Sequence, residues 1–218
     1  MRLRKLINGG NFQKECYMNK KKSNADKVEL DIGDALLISD IQNDFLPGGS
    51  LAVPEGDQLI PVLNGYIDQF SNHQLPVFAT RDWHPANHCS FTKQGGHWPE
   101  HCIAGSKGAE FASDLRLPVS TYIISKGTDV VREGYSSFSN RTFKEQLDNA
   151  GVRRLFIGGL ATDYCVLNTV RDALSYHYKV MLLIDAIRAI NVRRQDGENA
   201  INEMIQKGEI SITLAMIR

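Results

Sequence analysis

Leu155-Phe156-Ile157-Gly158-Gly159-Leu160-Ala161-Thr162-Asp163-Tyr164-Cys165 is the stretch that decides how this chain folds. A short apolar run without polar alternation marks a strand buried on both faces. Here it turns through glycines directly into a helical pattern over 164–177. Such a strand–turn–helix unit belongs to a parallel sheet, whose strands must be joined by crossovers.

Outward from this unit the same alternation recurs. Apolar runs lie at Ala35–Ile41, Pro76–Thr80, Thr121–Ser125, Val180–Ile184 and Ile210–Met216. Between them, Leu59, Leu63, Tyr66, Ile67 and Phe70 form an apolar stripe at helical spacing. The segments 141–150 and 195–207 also read as helices, with Gly151 and Gly208 just past their ends as stops. The expectation is a three-layer α/β/α domain over 34–218, with a mainly parallel, doubly wound sheet of six strands. One stretch resists this pattern: 82–105 reads as a long loop holding four of the six histidines. Long loops in compact domains are usually functional.

Composition narrows the function. The 218 residues carry 25 Lys+Arg against 25 Asp+Glu, so the formal charge is zero. Hydrophobic residues make up 42% and charged residues 23%, the mixture of a globular chain rather than a disordered one. Nucleic-acid binding calls for a basic excess that is missing here. No apolar run is long enough to span a bilayer. The zero is unevenly distributed. Residues 1–33 hold eight basic side chains (Arg2, Arg4, Lys5, Lys14, Lys20, Lys21, Lys22 and Lys27) against Glu15, Asp26, Glu29 and Asp31, a net of +4. This segment reads as a basic N-terminal extension, and the remainder carries −4. It lacks the apolar core of a secretory signal. Cys16, Cys89, Cys102 and Cys165 show no CxxC spacing, which points to a reducing, cytoplasmic setting.

In a doubly wound sheet, ligands gather beyond the carboxyl ends of the strands. Asp40 and Asp44 end the first run, Arg81, Asp82 and His84 the second, Lys126 the third, and Gly158–Cys165 follow the fourth. Asp82, His84, His88 and His101 combine a carboxylate with three imidazoles, donors suited to zinc, iron or manganese. The alternative for any one loop histidine is a solvated polar side chain. His97, in a Gly-Gly-His turn, finds no place among them, and Cys102 reads as a small buried thiol. Cys165 in the first turn of a helix is a candidate nucleophile, favoured as thiolate by the helix dipole. Small residues before it let backbone N–H groups approach an oxyanion. Asp40 supplies a carboxylate for proton transfer, and Lys126 a cation to steady the charges. No histidine is placed as base of a papain-like pair, and there is no GxSxG elbow, so acid–base work falls to a carboxylate.

Several motifs together carry a resemblance. Leu37-Ile38-Ser39-Asp40-Ile41-Gln42-Asn43-Asp44-Phe45 and Pro47-Gly48-Gly49-Ser50-Leu51 resemble the opening of the nicotinamidases, within the isochorismatase-like cysteine hydrolases. The likeness continues through Asp82-x-His84, His88, Trp98-Pro99-x-His101-Cys102, Lys126-Gly127 and Gly158-x-x-Ala161-Thr162-Asp163-x-Cys165, covering about 35–217. It implies a catalytic triad of Asp40, Lys126 and Cys165, acting on nicotinamide through a thioester to give nicotinate and ammonia, within NAD salvage. It implies an oxyanion hole from the backbone of Ala161 and Cys165, and a cis Leu160–Ala161 bond. A divalent metal, zinc foremost, on Asp82, His84, His88 and His101 would hold the pyridine nitrogen. Phe45, Leu51, Trp98, Tyr135 and Tyr164 would line the ring pocket. Tyr164 stands where the family often has His. Pyrazinamide is a plausible second substrate, and copies of the chain would self-associate, as is common in the family. The competing readings are another amidase of the family, acting on a carbamoyl or ureido group, and a non-catalytic metal-binding module in which Cys165 only packs.

Overall fold

The computed structural model describes residues 27–218. Most of the expected basic extension, 1–26, therefore lies outside the described residues. The part that is described is attached to the domain. Val28 bridges Ile217, exchanging hydrogen bonds with Met216 and Arg218, and the Arg153 and Arg154 guanidiniums hold the carbonyls of Ile32 and Glu29.

Six strands form one sheet: β1 (Asp34–Ser39), β2 (Val77–Asp82), β3 (Tyr122–Lys126), β4 (Arg154–Leu160), β5 (Lys179–Arg188) and β6 (Ile210–Ile212). Every pairing is parallel and the order is β3-β2-β1-β4-β5-β6. The chain winds outward from β1 to β3, returns to lay β4 on the other side of β1, and winds outward again. The crevice beyond the ends of β1 and β4 is thus the switch point, where open α/β sheets bind ligands.

Successive β1 residues point to opposite faces. Leu36 and Ile38 join Leu63, Tyr66, Ile67 and Phe70 of α1 (Leu59–Asn72) in one apolar cluster. Ala35 and Leu37 join a second cluster with α2 (Phe143–Asn149), α3 (Leu167–Ser175) and α4 (Asp196–Lys207), through Phe143, Val170 and Met204. Two dry layers enclosing a sheet explain why its strands read as continuous apolar runs. Among the described residues, no helix is long and apolar enough to cross a membrane.

Two local departures from the expected elements have clear causes. The last strand ends at Ile212, not Met216, because the Leu214 N–H turns to the Asp185 carboxylate and Leu214–Met216 coils into a 3-10 turn. The helix expected over 164–177 begins instead as a π-helical turn at Thr162–Val166, which carries Cys165, before α3 proper. Single π turns inside helices are frequent at functional sites. At the end of β4 the register with β5 slips between Ile157 and Gly159. Gly159 has φ +115, and a Cβ there would run into the Ser39 carbonyl. Only glycine lets the ends of β1 and β4 lie this close.

Candidate active site

Lys126 is the centre of the site. It ends β3, and its side chain is buried. Its Nζ lies 2.9 Å from Asp40 Oδ2, 2.5 Å from Asp82 Oδ1 and 3.3 Å from Cys165 Sγ. Four elements therefore meet at one ammonium: the ends of β1, β2 and β3, and the turn after β4. A buried lysine of this kind is tolerable only because it is paired.

Asp40 leaves β1 in a left-handed conformation, φ 53. Its carboxylate accepts hydrogen bonds from the Thr80 hydroxyl (2.7 Å) and the Ser39 hydroxyl (3.1 Å). The Cys165 sulfur and the Asp40 and Asp82 carboxylates have atoms all within 4.8 Å of one another. Leu160–Ala161 is cis, and the Ala161 carbonyl accepts the N–H groups of Tyr164 and Val166, closing the turn under Cys165.

The charges sort themselves by these distances. Burial would depress the Lys126 ammonium, but the Asp40 and Asp82 carboxylates hold its pKa well above the ordinary value. Burial would raise Asp82, but the Lys126 ammonium holds it low, so it is ionised. For Asp40, burial outweighs Lys126 and raises it above the usual carboxylate range. Cys165 departs from the thiolate expected of a helix start: burial, joined by the Asp40 and Asp82 charges, pushes the thiol well up against the pull of Lys126. The resting site thus holds a thiol beside a basic carboxylate.

On the far side of Asp82, the ligand atoms of Asp82, His84 and His101 converge to within 4.8 Å of one another, all three side chains buried. His84 Nδ1 donates to the Gly127 carbonyl and His101 Nδ1 to the Pro99 carbonyl, each at 2.8 Å. A carbonyl can only accept, so both rings carry the proton on Nδ1 and present the Nε2 lone pair, the arrangement that orients histidine ligands. Burial keeps His101 neutral, lowering its pKa. An ionised carboxylate and two oriented imidazoles fit a divalent metal ion. The structure does not bring His88 into this group. Its ring stacks on His84 with centroids 4.2 Å apart, and its nitrogens bond Ser90 Oγ (2.7 Å) and the Arg132 carbonyl (3.0 Å). Cys102 is buried, as expected of a packing thiol, and His97 is exposed.

Asp82, His101 and Cys165 all open on one small cavity. Phe45, Leu51, Trp98, Tyr135 and Tyr164 line it, with Val53 and Ile190 besides. Trp98 Nε1 donates to the Tyr135 hydroxyl at 2.9 Å, and the Tyr164 ring packs on both, at 5.0 Å and 5.5 Å between centroids. The cavity is thus walled by aromatic faces, with Cys165 and the Asp82/His101 pair both on its lining.

The backbone contacts that hold the site together escaped the reading of side chains one by one. Buried Gln42 accepts the Asp82 N–H at 2.7 Å and donates to the Asp82 carbonyl at 2.8 Å and the Ala109 carbonyl at 2.9 Å, clamping the backbone of a ligand. Asp44 takes the Cys102 N–H at 2.7 Å and so fixes the loop carrying His101. Asp163 accepts the N–H groups of Ile190 (3.0 Å) and Asn191 (2.8 Å), which aims Ile190 into the cavity. The signal was present: a polar side chain directly after a buried strand has to find backbone partners.

The chain matches the Isochorismatase domain over residues 34–216 and belongs to that family. It is 40% identical over 202 residues to the nicotinamidase of Escherichia coli (strain K12), across 83% of this chain and 95% of the relative. Among solved structures, the pyrazinamidase of Pyrococcus horikoshii in complex with zinc superposes with a TM-score of 0.80 at 44% identity, covering 83% of this chain and 99% of that one. PnC1 from L. infantum in complex with nicotinate superposes with a TM-score of 0.83 at 34% identity, covering 88% and 98%.

Proposed function

We propose that this chain is a nicotinamidase, hydrolysing nicotinamide to nicotinate and ammonia and so returning the pyridine ring to NAD salvage. The observation that carries this reading is the buried Lys126 ammonium, held at once by Asp40, Asp82 and Cys165, of which Asp82 and Cys165 reach the wall of an aromatic cavity beside the Asp82/His84/His101 group. Cys165 gives its thiol proton to Asp40 as the sulfur attacks the carboxamide carbon. The N–H groups of Ala161 and Cys165 receive the developing oxyanion. As the intermediate collapses, the C–N bond breaks and Asp40 hands its proton to the departing ammonia, leaving a thioester. Asp40 then takes a proton from water attacking the thioester, the C–S bond breaks, the proton returns to Cys165, and the acid product leaves as nicotinate, its carboxyl proton taken up by the ammonia. Lys126 keeps the cluster from accumulating negative charge throughout. Asp82, His84 and His101 would hold the metal, zinc by the donor set and by likeness to the Pyrococcus protein, and it supplies a Lewis acid for the pyridine nitrogen. A pyrazine carboxamide presents the same ring nitrogen and amide, so pyrazinamide is the second substrate.

Ammonia release from nicotinamide tests this directly. Zinc-loaded protein turns over, and Cys165→Ala is inactive but still binds nicotinate. Absence of turnover by the zinc-loaded chain refutes the assignment. A rate untouched by a chelator that has stripped the metal refutes the part given to the metal.

A further inference from the structure

His88 lies one ring away from the three converging ligands, yet neither of its nitrogens is free. Nε2 faces the Arg132 carbonyl at 3.0 Å, and a carbonyl can only accept, so the proton is on Nε2. Nδ1 faces the Ser90 hydroxyl at 2.7 Å and the Ser90 N–H at 3.3 Å, both of which can donate to its lone pair. This tautomer is the reverse of the one on His84 and His101, whose Nδ1–H groups are tied to carbonyls. The partner of Nε2–H is informative. Arg132 sits in the loop 127–135, which begins next to Lys126 and ends at Tyr135 on the cavity wall. That loop is tied to the 84–89 segment at three points: His84 to Gly127, Cys89 to Val130 and His88 to Arg132. Of these, the His88 bond is nearest to Tyr135.

We infer that His88 is a positioning residue for substrate binding: its Nε2–H strut fixes the 127–135 loop, and so places Tyr135 against Trp98 on the wall that receives the ring. The inference rests on the nicotinamidase reading for its kinetic consequence, but not for its structural one.

The test therefore has two arms. The tautomer is read from long-range proton–nitrogen correlation spectra of zinc-loaded wild-type protein. His88 is expected as the Nε2–H form with an unligated ring, and zinc-bound His88 overturns the inference whether or not nicotinamide is a substrate. The second arm compares His88→Gln with His88→Asn. The glutamine amide nitrogen reaches the position of Nε2 and can donate to Arg132, whereas the shorter asparagine reaches only Ser90. His88→Asn is expected to raise the nicotinamide KM about tenfold, the loss of one ordering hydrogen bond, with kcat within about threefold and one zinc per chain. His88→Gln is expected to restore KM to within about threefold of wild type, again with zinc retained, since an amide is a poor replacement for a zinc ligand. A wild-type KM in His88→Asn, or zinc lost from His88→Gln, overturns the inference. Should His88→Asn fail to fold, the glutamine variant and the tautomer decide on the same criteria.

Discussion

Replacing Lys126 by Met removes a buried charge while nearly keeping its volume, so the packing around it stays filled and the loss is electrostatic. Lys126 Nζ stands 2.5 Å from Asp82 and 2.9 Å from Asp40, with all three side chains buried. Breaking a buried pair by deleting one partner costs about 3–5 kcal/mol, because the other charge is left uncompensated. For a domain of this size, at about 2–4 °C per kcal/mol, the variant should melt roughly 10 °C lower. The deficit must also depend on pH, with a definite sign. In wild type the Asp82 carboxyl titrates below its ordinary value, so its contribution is present at neutral pH and fades only in strong acid. Without Lys126 both carboxyls titrate above their unfolded values, and the folded state takes up protons that the unfolded chain releases. Stability of the variant is then recovered as pH falls. Urea unfolding of metal-stripped wild type and Lys126→Met, at about pH 8 and about pH 5.5, measures this. The expected deficit is larger at the higher pH. A deficit under about 1 kcal/mol at both, or one that grows on acidification, refutes the picture of an ammonium holding two carboxylates. Turnover of nicotinamide should fall by at least about 100-fold in the same variant, a second and independent reading.

Other consequences are equally direct. Because burial raises Asp40 and the reaction needs it ionised to accept the thiol proton, nicotinamide turnover should fall as pH drops through a midpoint above the ordinary 3.8; full activity at about pH 4 contradicts the assignment of Asp40 as base. Gln42→Leu leaves the Asp82 N–H and C=O and the Ala109 carbonyl without their partner, which should cost about 3 kcal/mol in denaturant unfolding and weaken zinc binding about 10–100-fold by competition titration. Zinc affinity within threefold of wild type would show that the clamp does not position Asp82. Gly159→Ala places a Cβ against the Ser39 carbonyl at a φ that L-residues avoid, and should destabilise the fold by about 3 kcal/mol or more; an unchanged melting temperature would mean that β1 and β4 are not in fact held that close.

Much of this arrangement is legible in the sequence, for one physical reason. Central strands sheathed on both faces have little room for a charged side chain except at their ends, so Asp40 and Asp82 announce the ends of β1 and β2, and the buried Lys126 closes the half-exposed edge strand β3. The topology then gathers strand ends at one edge whatever their separation in the chain. Where backbone decides, the sequence is mute. His84, His88 and His101 are equivalent as letters, and what separates them is which ring nitrogen a loop carbonyl captures: Gly127 and Pro99 take Nδ1, Arg132 takes Nε2. The end of β6 fails for the same kind of reason, since Asp185, far off in sequence, draws the Leu214 N–H away from the ladder.

The protonation of Cys165 shows the same limit at the level of chemistry. Its place at a helix start argues for a thiolate, and that argument is sound for an exposed cysteine. Inside the cluster the sulfur competes with Asp40 and Asp82 for a single ammonium that is already committed to both. A third negative charge there has no counter-ion, so the proton stays on sulfur while Asp40 remains the basic partner. That division suits an amide better than a standing thiolate does. Expelling ammonia requires a proton delivered to nitrogen, and in the proposed mechanism the proton that Asp40 takes from Cys165 during attack is the one it can return to the leaving group. A site that released it to solvent in the resting state would start the reaction with the stronger nucleophile and finish it without the acid.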